Sequence, residues 1–157
     1  MHFILPHLVA LLLILFVLVS VCVAIHTAGM LLGIRWLKRF WPRRDSDYGP
    51  SRTIWLIVRV VYGLLILHLL QITVWAGCYE AFGFFPDFAT SFYFSATSYS
   101  TVGYGDVLLT QPWRVLGSIE AVTGVLMFGW STGIIFTVVH HLLSHFLRGK
   151  FVEKDLP

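Results

Sequence analysis

The sequence predicts an all-α membrane protein: three transmembrane helices, with a short re-entrant helix and an ordered loop between the second and the third. Three observations carry this. Of the 157 residues, 57% are hydrophobic and only 12% are charged, and the mean hydropathy is +0.80. A soluble domain is about 45–50% apolar and about 25% charged. Three apolar runs each reach the ~20 residues a helix needs to cross a bilayer. Between the second and third runs lies an aromatic stretch, broken by Gly and Pro, that is too short to cross.

The first run, Phe3 to Ile34, contains no Asp, Glu, Lys or Arg. A cleaved signal peptide would need a basic start and a shorter apolar core. The chain opens Met1-His2-Phe3, so a retained helix is expected. Trp41 to Pro50 is the linker-like stretch. Ile54 to Gly77 is the second run, interrupted by Arg59, whose long side chain can snorkel to the headgroups. Phe88 to Ser98 could make about three turns, roughly 16 Å at 1.5 Å per residue. Asp87 is placed to cap its first turn, and Pro86 stops it extending backward. Val115 to His140 is the third run and carries Glu120. No internal repeat is visible. Cys22 and Cys78 lack metal-ligand spacing, and no disulfide is expected.

Charge predicts orientation. Arg35, Lys38, Arg39, Arg43, Arg44 and Arg52 lie between the first two runs, and Arg148, Lys150 and Lys154 follow the third. The connection between the second and third runs holds Glu80, Asp87 and Asp106, with Arg114 at its far end. Basic loops face the cytoplasm. The N-terminus is therefore expected outside, the C-terminus cytoplasmic, and the short helix dips in from outside. The Arg35–Arg44 cluster reads as an ordinary positive-inside loop, with anionic lipid as a further contact. No basic series lies within a run, so no voltage-sensing domain is expected. No basic face carries interleaved aromatics, so nucleic acid is not an expected partner.

After the short helix comes Ser100-Thr101-Val102-Gly103-Tyr104-Gly105-Asp106-Val107. Irregular backbone at membrane depth is tolerated only when buried in protein or lining a water-filled path. Gly103 and Gly105 can adopt angles other residues avoid, so the loop can turn successive carbonyls to one side. Carbonyl oxygens can replace water around a bare cation. One strand cannot surround an ion, whereas four can, so a working site needs four copies of the chain. Thr101 could add its hydroxyl at the inner end, and Asp106 could anchor the outer end. The C-terminal end of the preceding helix, with its partial negative charge, would favour a cation.

Thr101-Val102-Gly103-Tyr104-Gly105-Asp106 resembles the selectivity filter of the tetrameric potassium channels. TVGYG loops are the general example of carbonyls replacing the hydration shell of potassium, so that selectivity comes with the resemblance and not with the spacing. The resemblance covers about Ile54 to Phe146 and leaves the first helix outside. It implies a pore domain over 53–147, with an outer helix 53–78, a pore helix 87–98, a filter 101–105 and an inner helix 113–147. Residues 1–52 would form an extra N-terminal helix and basic linker, and 148–157 a cytoplasmic tail. Potassium would bind the carbonyls of Thr101, Val102, Gly103 and Tyr104, with Gly105 completing the loop. Tyr104 would pack on pore-helix aromatics, here Tyr93 and Phe94. Some relatives pair a pore-helix Glu with the filter Asp; here Thr97 occupies that position.

In inner helices of this family a glycine permits bending. Gly124 is the best candidate, with Gly129 and Gly133 as rivals, although all three also suit close helix packing. Phe128, Thr132, Phe136 and His140 form one helical stripe. It either lines the cavity and mouth or faces a neighbouring helix, and a ring of Phe136 could close the path by dewetting. Glu120 is expected to bond pore-helix hydroxyls such as Thr97 or Ser98, a structural role, although a charged group in a span is also a functional candidate. His140, His141 and His145 read as interfacial histidines, with a pH-sensing gate or a weak His141–His145 metal pair as alternatives.

The implied function is passive potassium conduction by a homotetramer in a plasma membrane, of a prokaryotic inner-membrane kind, with membrane lipid around it. A less selective cation channel and a non-conducting modulatory subunit are the alternatives. No enzyme activity, cofactor beyond the permeant ion, or small-molecule substrate is expected.

Overall fold

A computed structural model of the chain describes residues 4–40 and 49–154. All regular structure among them is helical: α1 (Ile4–Phe40), α2 (Pro50–Ala81), α3 (Phe88–Tyr99) and α4 (Arg114–Lys154). Three stretches are long and apolar enough to cross a membrane, namely Val9–Phe40, Pro50–Ala81 and Arg114–Ser144. The protein is thus an all-α multi-pass membrane protein. Arg43, Arg44 and most of the linker-like stretch lie outside the described residues.

The helices run beyond their apolar cores for identifiable reasons. α1 continues through Lys38 and Arg39, good helix formers whose charges suit its last turn. α2 begins at Pro50, where a missing N–H costs nothing. It stops short of Gly83, which has φ 68°. There the Gly83 N–H donates to the Glu80 carbonyl and the Phe84 N–H to the Tyr79 carbonyl, at 2.8 and 3.0 Å. This is a Schellman motif, and its usual apolar contact is present as the Tyr79–Phe84 ring pair, 6.2 Å apart. α3 starts where expected: Asp87 accepts from the Thr90 N–H at 2.8 Å and from the Thr90 hydroxyl at 3.0 Å. Those bonds hold the exposed Asp87 carboxyl below its usual pKa.

By proximity the chain divides into two units. One joins the N-terminal stretch ending at Thr27 to Leu67–Phe128. Its core contains Leu18 and Cys22 of α1, Ile72, Trp75 and Tyr79 of α2, Phe94 and Tyr99 of α3, and Leu116 and Met127 of α4. Aromatic rings dominate it. Phe94 meets Tyr79 edge-on at 5.2 Å and Phe85 at 5.0 Å, and Phe84 meets Trp113 at 5.3 Å. The other unit runs from Ala28 to Ile66 and from Gly129 onward. Leu56, Val138 and Leu142 are its buried centre, with Leu37, Ile57, Val60 and Ile134 packed around them. Outward-facing apolar side chains such as Phe16, Leu65 and Leu126 suit a lipid surround.

Candidate functional site

The loop after α3 is built from that helix upward. α3 buries one stripe, Ser91, Phe94, Ser95 and Tyr99. The spacing is that of a single helix face. Ser100 caps the helix, its N–H donating to Ala96, and the Thr101 N–H donates to the Ser98 carbonyl. Thr101 then turns to φ 63°. A β-branched residue in the left-handed region is an outlier, and such strain costs of order 1–3 kcal/mol where a structure retains it. Gly103 and Gly105 follow with φ 54° and 78°, while Val102 and Tyr104 keep negative φ. The sign of φ therefore alternates along the loop.

Few bonds within the chain hold this loop. The Gly103 N–H donates to the Thr97 carbonyl at 3.0 Å. Tyr93 donates its hydroxyl to Asp106 Oδ2 at 2.8 Å, and the Val107 N–H donates to Asp106 Oδ1 at 3.1 Å. The structure thus brings Tyr93 and Asp106 together at the C-terminal end of the loop. Thr97 acts through its backbone, since its hydroxyl turns back to the Phe94 carbonyl. Phe94 is buried among Tyr79 and Phe85. Tyr104 is 72% exposed and Val102 52%.

Glu120 does bond a hydroxyl of α3, but the partner differs from the expected Thr97 or Ser98. Ser95 Oγ lies 2.5 Å from Glu120 Oε1 and 2.9 Å from the Ile72 carbonyl. Tyr79 donates to Glu120 Oε2 at 2.7 Å. Ser95 faces Glu120 because it shares the buried stripe, whereas Thr97 points off it. One carboxylate so joins α2, α3 and α4 beneath the loop.

Gly124 sits against the end of α3. A Cβ there would fall inside the Tyr99 carbonyl, 2.9 Å from its carbon and 3.2 Å from the ring. Gly129 and Gly133 have nothing within 4 Å. Close approach therefore accounts for Gly124 directly.

The stripe on α4 is split in its surroundings. Phe128 packs on His68 at 4.5 Å and on Tyr99 at 5.5 Å. Thr132 is exposed, Phe136 is 70% exposed, and Phe136 stacks on His140 at 5.8 Å. His141 lines a cavity of about 440 Å³ with Ile34, Leu37, Lys38, Thr137 and Val138. The side chain of His145 lies outside the described residues. No group of three metal-ligating side chains occurs among the described residues. Arg59 lies over the Trp55 ring at 2.9 Å and over Trp36 at 5.1 Å, so aromatic faces hold the guanidinium.

A model of the ion channel family matches residues 53–141, more than half the chain. The chain belongs to the ion channel family. Comparison with curated proteins and with solved structures finds no match. The matched region of this ion channel contains α3, the loop and Glu120, and leaves out all of α1.

Sequence reasoning missed a set of buried polar residues in this channel: His26, His68, Gln71 and Tyr99. A signal was available. His68 and Gln71 stand at i and i+3 within an apolar run, and intramembrane polar groups are functional candidates by default.

Proposed function

We propose that this ion channel is a homotetramer that conducts potassium passively and selectively across a plasma membrane. The observation that carries the proposal is the alternating sign of φ from Thr101 to Gly105. Alternating handedness gathers successive N–H groups on one side of a strand. The carbonyls then gather on the other, where they can replace a cation's water. The chain retains this strained form with few internal bonds and with Val102 and Tyr104 exposed. Four copies around an axis would cover those side chains and supply enough oxygens.

In this reading the carbonyls of Thr101, Val102, Gly103 and Tyr104 hold potassium, and Gly105 completes the loop. Tyr93 and Asp106 tie its outer end. Residues 53–147 act as the pore domain, entered from outside, with N-terminus outside and C-terminus cytoplasmic. The exposed Phe136 rings, each stacked on His140, narrow the inner mouth and can dewet it.

The test is ion flux into liposomes containing the purified full chain. Potassium flux well above sodium flux supports the proposal. Equal fluxes would leave a less selective cation channel, and a tetramer passing neither would leave a modulatory subunit.

A further inference from the structure

Four buried polar side chains on three helices form one hydrogen-bonded chain that passes through Tyr99, at the base of the loop. Tyr99, the last residue of α3, donates its hydroxyl to Gln71 Oε1 at 2.9 Å. Gln71 Nε2 lies 3.0 Å from His26 Nδ1, and His68 Nδ1 lies 3.2 Å from the Tyr99 hydroxyl. The direction of every bond follows. Gln71 accepts at its oxygen, so its amide nitrogen donates to His26, whose Nδ1 carries no proton. Tyr99 spends its one proton on Gln71, so His68 Nδ1–H donates to Tyr99. The order is His68, Tyr99, Gln71, His26, with α1 at the accepting end.

His26, Gln71 and Tyr99 are fully buried. No water at that depth replaces a lost partner, and a partly satisfied buried network is worse than an apolar core. Apolar side chains would fill the same volume without that cost, but they would not dictate one position for Tyr99. The Tyr99 ring is held further by Phe128, and its carbonyl abuts Gly124. Two residues later the backbone reaches Thr101 with φ 63°, so a shift of Tyr99 passes straight into the first turn of the loop.

We propose that the N-terminal helix is a working part of the ion-selecting loop: His26, through Gln71, positions Tyr99 and thereby fixes the loop's geometry. His26 and Gln71 are then positioning residues for ion selection. The inference rests on the reading of the loop as a potassium filter.

The test uses the full chain in membranes, with His26→Leu, Tyr99→Phe and the double variant. Tyr99→Phe removes a single oxygen and keeps the ring, so it remains informative if His26→Leu fails to assemble. Two readouts are taken: the potassium/sodium permeability ratio, and amide exchange at Gly103, whose N–H is bonded to Thr97. Each single variant is expected to lower the ratio about fivefold, the factor one net hydrogen bond supplies, and to speed Gly103 exchange similarly. The double variant should be no worse than either single, because both cut the same chain. Unchanged ratio and exchange would overturn the inference, even with lowered thermal stability. So would independent effects multiplying to about twenty-five-fold. If the unaltered protein does not discriminate potassium from sodium, the functional proposal fails. Gly103 exchange would still show whether His26 acts on the loop.

Discussion

Tyr79 donates its hydroxyl to Glu120 at 2.7 Å, and Ser95 meets the other oxygen of the same carboxylate. Three helices are fastened at a point with no access to water. Glu120→Ala should therefore cost more than lost packing. It leaves the buried Tyr79 hydroxyl unpartnered, at about 1–3 kcal/mol, while Ser95 keeps the Ile72 carbonyl. Glu120→Gln keeps the shape and should cost about 1 kcal/mol. Thermal unfolding in detergent measures both. Equal losses would show that the carboxylate serves only as volume.

Gly124→Ala drives a methyl into the Tyr99 carbonyl. Overpacking against backbone costs about 1–3 kcal/mol. Gly133→Ala meets nothing in its own chain and gains up to about 1 kcal/mol of helix propensity. Thermal unfolding should rank the two in that order. A loss at Gly133 would mark contact with another copy there.

Asp87 gives a pH dependence with a definite sign. Its carboxyl is held below the ordinary 3.8 by the Thr90 N–H and hydroxyl. A depressed pKa stabilises the folded state fully above the ordinary value, and that contribution is lost as pH falls through the depressed one. Unfolding followed from pH 7 to 3 should show a steeper acid loss in the unaltered protein than in Asp87→Asn. Parallel curves would remove Asp87 from the account.

Tyr93→Phe removes the bond to Asp106 while keeping the ring. Asp106 retains the Val107 N–H. The C-terminal end of the loop should loosen, lowering the potassium/sodium flux ratio about two- to fivefold in liposomes, with assembly intact. An unchanged ratio would show that the loop is held from elsewhere.

The helices and the start of α3 were legible because apolar runs and a Pro-Asp pair are local signals. So were the glycines of the loop. Thr101 was not, since nothing in a threonine announces a positive φ; the backbone around it imposes that angle. The partner of Glu120 was missed by part of a turn. Thr97 and Ser98 carry suitable hydroxyls, but only Ser95 shares the buried stripe with Phe94 and Tyr99. The link from His26 to Tyr99 was hidden for another reason. Its members are 28 and 45 residues apart, and only the folded chain joins them.

The most direct test of the central claim is the reversal potential of the purified protein between a potassium and a sodium solution across a planar bilayer. Alternating φ, four loops and inward carbonyls predict a value close to the potassium equilibrium potential. A reversal near zero, with current flowing, would contradict the assignment of Thr101–Gly105 as a potassium filter.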